Sequence, residues 1–116
     1  MKRPLHIVHT EASLGWGGQE IRILTEAEGM AKRGHRVTLI APHEANIKRE
    51  SEARGLTTIT LPIGRKNLRG LFALRAWLKT NPCDVINTHS STDTWLAALA
   101  CATLGNAPRW KPRSTA

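Results

Sequence analysis

The chain has 116 residues, 41% hydrophobic and 22% charged, enough apolar side chains for one modest core and too many for a disordered segment. Its opening, MKRPLHIVHTEA, holds about four consecutive apolar residues, short of a signal-peptide core of at least 7 and of the roughly 20 in a membrane span, so a cytoplasmic location is expected. Seventeen basic against nine acidic residues give a net charge of +8, which attracts anions without choosing between nucleic acid, lipid headgroups and phosphorylated small molecules.

Along the chain, strand patterns alternate with helical ones. Pro4 to Thr10 reads as a first strand, with the apolar pair Ile7-Val8 toward its end. Gly15-Trp16-Gly17-Gly18 forms a turn, and Gly18 to Arg33 carries Ile23, Ala27, Met30 and Ala31 at helical spacing until Gly34 stops it. His35 to Ala41 (HRVTLIA) is a β-branched second strand closed by Pro42. A short polar helix at 45–54 ends at Gly55, and Leu56 to Leu61 is a third strand ending at Pro62. Asn67, a plausible N-cap, opens a helix to Lys79 with Leu71, Leu74 and Leu78 on one side; Pro82 ends that region. Cys83 to Thr88 (CDVINT) is strand four, and Ser91 to about Leu104 a last helix containing Trp95, Leu96, Leu99 and Ala102.

Strands returned by helices imply an α/β protein, a Rossmann-like parallel sheet with helices on both faces and strand order 3-2-1-4. Ligands of such sheets bind at the carboxyl ends of the strands, where strands one and four diverge. Two segments meet there: the glycine turn and His89-Ser90-Ser91.

No acid occurs between Glu52 and Asp84, whereas Arg54, Arg65, Lys66, Arg69, Arg75 and Lys79 all fall in that interval; a solvated helix face and an anion-attracting surface both fit. Cys83 and Cys101 lack CxxC spacing and read as buried reduced thiols. His6 and His9 point to opposite faces of one strand and make a poor metal pair. At the turn, a G-x-G-x-x-G fingerprint fails because position 20 is Glu20, and no GxxxxGK[ST] occurs. What remains is Gly17-Gly18-Gln19-Glu20 opening a helix. Its amides suit a diphosphate or a sugar, and a tight structural turn is the competing reading.

Taken together, HTEASLGWGGQEIRILTEAEGMAKRGHRVTLIAP and DVINTHSSTDTWLAALA resemble the N-terminal domain of family 4 glycosyltransferases, retaining GT-B enzymes that use nucleotide-sugar donors. The likeness runs from about Leu5 to Leu104 and rests on a GGxE turn, a helix ending near RGH, a strand ending in AP and a D-V-I-x-x-H motif, in that order. It implies that Gly17 and Gly18 lie near the donor diphosphate and the acceptor, with Gln19 beside them, and that Glu20 supports the turn. His89 would be the catalytic-site histidine facing the sugar, and Ser90 and Ser91 would cap the last helix or touch the acceptor. The resemblance implies no metal and no cofactor, the nucleotide-sugar being a substrate. The implied acceptor is a sugar, a lipid or a small molecule. Arg65 to Lys79 would offer peripheral contact with an anionic membrane, at its inner face.

The family's second domain, which grips the nucleotide, does not follow before Ala116. Residues 1–108 are therefore expected to be an incomplete acceptor-side domain, the truncated N-terminal half of a GT-B enzyme that is inactive alone. Residues 109–116 (RWKPRSTA) are expected to be a basic tail rather than domain sequence, since Pro112 does not suit a central strand. Two alternatives remain: a stand-alone nucleotide-binding module, with Glu44 as a ribose-binding acid near the end of strand two, and a basic interaction module for membranes or nucleic acid, the latter partner disfavoured.

Overall fold

A computed structural model describes residues 5–12, 15, 17–65, 67–81, 83–104 and 109–112. Pro4, Trp16, Lys66, Pro82, the Gly105 to Pro108 stretch and residues 113–116, all drawn on above, lie outside the described residues.

Strands and helices alternate as β1 (His6–Thr10), α1 (Gly18–Lys32), β2 (Arg36–Ala41), α2 (Asn46–Ala53), β3 (Thr57–Thr60), α3 (Leu68–Thr80), β4 (Val85–Thr88), α4 (Ser91–Thr103) and β5 (Arg109–Pro112). All pairings are parallel, in the order β3-β2-β1-β4-β5. The expected order of the first four strands holds, with a fifth strand added.

That fifth strand corrects the expectation of a tail. Arg109 to Pro112 pair with Val85 to Thr88, so β4 is an inner strand and not an edge. Pro112 is compatible with this because it is the last residue of an edge strand, where a missing N–H leaves no inner ladder broken.

Alternation along β1 sorts the core onto two faces. Val8 of β1, Ile40 of β2 and Ile86 of β4 pack with Leu74 and Leu78 of α3 and Leu96, Ala97 and Ala100 of α4. On the opposite face Leu39 and Ala41 of β2 pack with Ile23 and Leu24 of α1 and Ile47 of α2. The apolar stripe of α1 is therefore Ile23, Leu24 and Ala27, and the last turn departs from the expected one: Met30 is half-buried and Ala31 exposed. On α4, Leu96 is fully buried whereas Trp95 and Leu99 are partly exposed. Cys83 and Cys101 are free thiols packed against the first cluster; burial, then the neighbouring Cys101 and Asp84, pushes Cys83 up to about 12. Burial raises Cys101 as well, so both act as protonated packing groups at neutral pH.

Glycine is required where the backbone leaves no alternative. Gly34 and Gly55 end α1 and α2 at positive φ, 91° and 76°. Gly70 meets a different constraint: a Cβ there would lie 2.6 Å from the Pro62 carbonyl oxygen, so α3 starts pressed against the end of β3. Asn67 caps that start by accepting from the Gly70 N–H at 2.9 Å.

At the other strand ends one carboxylate organises the β4–α4 junction. Asp93, fully buried in the first turn of α4, accepts from the Ser90 N–H at 2.8 Å, the His89 N–H at 3.0 Å, and the hydroxyls of Ser90 and Thr10. Ser90 is the N-cap of α4, one of the two roles expected of it. Burial raises the Asp93 carboxyl above its ordinary value, and the hydrogen bonds from Ser90, Thr10 and His89 act in the opposite direction.

Substitution of Gly70 by alanine is expected to destabilise the chain by about 1–3 kcal/mol, because backbone must shift to admit the methyl group. Gly29→Ala, in the middle of α1 where a Cβ meets nothing within 4 Å, should instead stabilise by about 0.5–1 kcal/mol. Urea unfolding of both variants checks the contrast. Asp93→Asn should lower stability by about 1–3 kcal/mol in the same measurement, since an amide nitrogen would face donors on one side and leave a buried N–H unsatisfied. Thr10→Val, which removes one neutral donor, should cost less than Asp93→Asn.

Candidate functional site

The carboxyl ends of β1 and β4 are adjacent, with Thr10 opposite Thr88, and the residues that follow them converge. Gln19, in the first turn of α1, donates from its side-chain amide to the Glu11 carboxylate and to the His89 carbonyl, both at 2.8 Å. Gln19 thus joins the glycine turn to the end of β4. Glu11 and His89 are both buried, and Glu20 is buried in the same first turn of α1.

His89 has a partner that spacing along the chain does not reveal. The His9 and His89 rings are stacked, centroids 5.2 Å apart and 11° from parallel, and His9 Nδ1 lies 3.0 Å from His89 Nε2. One of the two nitrogens must carry the proton and the other accept it, so the tautomer of one imidazole fixes that of the other. His9 is the site residue that sequence reasoning passed over. Its strand neighbour His6 turns to the opposite face, as alternation requires, with its Nε2 3.1 Å from Thr38 Oγ1. Among the described residues no group of three His, Cys, Asp or Glu is placed to hold a metal ion.

The structure brings Gln19 and His89 together directly, and Ser90 to His89 through Asp93; Gly17 and Gly18 stand at the open start of α1. Gly17 is the N-cap, at φ −166°, an extended conformation open to any residue, and a Cβ on either glycine would meet nothing within 4 Å. Two cavities are lined wholly by other described residues. One, of about 490 Å³, sits beyond the ends of β2 and β3 and is lined by His43, Glu44, Gly64, Arg65, Asn67 and Arg69, among others. The other, of about 600 Å³, is a groove between α1 and the β1–β4 pair, with His9 on its wall. Glu44 therefore does sit beyond the end of strand two, as the ribose-acid alternative required.

The basic interval also has a shape. Leu68 and Phe72, one turn apart on α3, are 63% and 60% exposed, and Arg65, Arg69 and Lys79 belong to the same segment. Arg75 is engaged: its guanidinium donates to the Thr103 hydroxyl at 3.0 Å and to the Thr103 carbonyl at 3.2 Å. No helix among the described residues is long and apolar enough to cross a membrane.

With the geometry in hand, comparison with known proteins is direct. The structure superposes on the crystal structure of Acinetobacter baumannii MurG with a TM-score of 0.75 at 18% identity, covering 94% of this chain and 34% of that one. It superposes on a glycosyltransferase from Rickettsia africae ESF-5 with a TM-score of 0.78 at 17% identity, covering 96% of this chain and 30% of that one. At these identities the likeness establishes the fold, and the chain spans about a third of the length of either protein. No curated protein sequence matches it. The sequence model of Glycosyltransferase Family 4 matches residues 16–110, from the glycine turn into β5, and the chain belongs to that family.

Proposed function

We propose that this chain is the acceptor-side part of a GT-B glycosyltransferase that moves a sugar from a nucleotide-sugar to a sugar, lipid or small-molecule acceptor, the donor being gripped mainly by a second domain. The observation that carries the reading is the bare backbone at Gly17 and Gly18. Gly34, Gly55 and Gly70 are placed where positive φ or a close neighbour demands glycine. At 17 and 18 neither demand exists, and the backbone opens a 15-residue helix toward free space. Glycine there suits a ligand that approaches the first helical amides closely, as an anionic diphosphate or a sugar hydroxyl would.

In this reading Gln19 and Glu11 hold the helix start, and His89 presents its imidazole with an orientation set by His9. His9 is then a positioning residue. Because His89 is buried and its ring is stacked on His9, His89→Ala would lower stability as well as turnover. The exposed Leu68 and Phe72 beside Arg65 and Arg69 favour peripheral contact of α3 with an anionic membrane surface.

A few neutral contacts, each worth on the order of 1 kcal/mol, leave donor affinity at about millimolar or weaker once association entropy is subtracted. The 116-residue chain alone should therefore transfer no sugar. Calorimetry with nucleotide-sugars and a donor-hydrolysis assay check this: micromolar affinity, or turnover without another domain, would refute the division of labour. Joined to a family donor domain, the chain should gain activity. In that enzyme Gly17→Ala should lower kcat/KM by roughly tenfold or more, equivalent to about 1.4 kcal/mol, while urea unfolding shows a loss of no more than about 1 kcal/mol, that of exchanging a glycine N-cap for alanine.

A further inference from the structure

The cavity beyond β2 and β3 has a chemistry that the glycine turn and the histidine pair do not use. Arg65 and Arg69 line it from the β3–α3 connection and the first turn of α3. No hydrogen bond or ion pair among the described residues engages either guanidinium, and acids are absent from the sequence between Glu52 and Asp84. Two unengaged guanidinium groups at one cavity form a strong site for a phosphate group, which each can grip with two parallel N–H donors. The lining from the β2–α2 connection differs. Glu44, from the β2–α2 connection, supplies an acceptor-only carboxylate, suited to hydroxyls and unsuited to phosphate, and the neighbouring His43 an imidazole that can donate or accept. About 490 Å³ is enough for a small phosphorylated molecule.

The wall is built rather than incidental. Gly70 lets α3 start hard against the Pro62 carbonyl, and Asn67 caps that start, so the segment bearing Arg65 and Arg69 is fixed to the end of β3. The cavity also comes close to the residue that follows β1 by two positions. At Gly64, on its lining, a Cβ would lie 3.6 Å from the Pro42 side chain and 4.0 Å from the carbonyl of Ala12, which follows β1.

We infer that this cavity binds a phosphorylated polyol or sugar, its phosphate on Arg65 and Arg69 and its hydroxyls toward Glu44, as the anionic acceptor of the enzyme. For the ligand's role this rests on the acceptor-side reading above; for its binding it does not. The phosphate belongs either to a free sugar phosphate or to a phosphorylated headgroup on a lipid, and the experiment separates the two.

The test uses the 116-residue chain at fixed salt, titrated with glucose 6-phosphate, inorganic phosphate and glucose, and followed by amide chemical shifts. Glucose 6-phosphate should bind more tightly than either of the others and perturb the amides around residues 42–44 and 64–70. Arg65→Ala and Arg69→Ala should each weaken it by about tenfold, the effect of losing one charged hydrogen-bonding group. Lys79→Ala, the same charge change about 15 Å along α3, should leave it within twofold. Glu44→Ala should weaken glucose 6-phosphate while leaving inorganic phosphate unchanged or tighter. Co-sedimentation with phosphatidylinositol and phosphatidylglycerol vesicles supplies the lipid arm: binding to phosphatidylinositol vesicles that needs Arg65, Arg69 and Glu44 assigns the site to a lipid-borne polyol phosphate. The inference is overturned if no phosphate ester binds in either arm, if Lys79→Ala matters as much as Arg69→Ala, or if vesicle binding ignores Glu44 and follows net charge alone. Because the readout is binding, its failure is distinct from a failure to transfer sugar.

Discussion

The Asp93 carboxylate gathers the ends of two strands and the start of one helix onto two oxygen atoms. Thr10 reaches it from β1, the His89 N–H from the residue after β4, and Ser90 from the cap of α4. A neutral amide offers one acceptor where this junction needs two, so the residue type follows from the count of donors. The placement of His89 follows in turn. Its backbone is held by Asp93 on one side, its carbonyl by Gln19 on the other, and its ring lies against His9. Removing the carboxylate would release three elements at once, at the one edge of the sheet where ligands of this architecture bind.

Much of the fold was legible because the relevant physics is local. Helical spacing of Ile23 and Ala27, of Leu74 and Leu78, and the β-branched runs at 36–41 and 57–60 record which face each element buries. Gly34, Gly55 and Asn67 mark boundaries through their own backbone conformations or capping bond. β5 was not legible, since RWKP carries no apolar alternation and its pairing depends on β4, more than twenty residues away. An edge strand with one neighbour needs less burial than an inner strand, and its sequence is correspondingly less constrained.

The candidate site divides along the same line. Gly17, Gly18, Gln19 and His89 stood out through a short turn and a strand end, and the family match begins at that turn. The partners that give those residues their geometry are remote: His9 is 80 positions from His89, and Gln19 is 70. Alternation correctly separated His9 from His6 but says nothing of a ring arriving from another strand. Likewise the arginines at 65 and 69 were visible as charge, while their shared cavity with Glu44 depends on β2 and β3 ending side by side.

Gln19 has a consequence for the thermodynamics of association. A glycine-rich turn is ordinarily among the most disordered parts of a chain, and a ligand that orders it forfeits affinity to lost backbone entropy. Here the first turn of α1 is latched by two hydrogen bonds from a single amide, one to Glu11 and one across to the carbonyl of His89. The entropy of fixing the helix start is thereby lost during folding rather than during binding. Glycine's bare backbone and a rigid scaffold, usually opposed, coexist at this position because the ordering side chain lies just inside the helix, on the residue after the glycines.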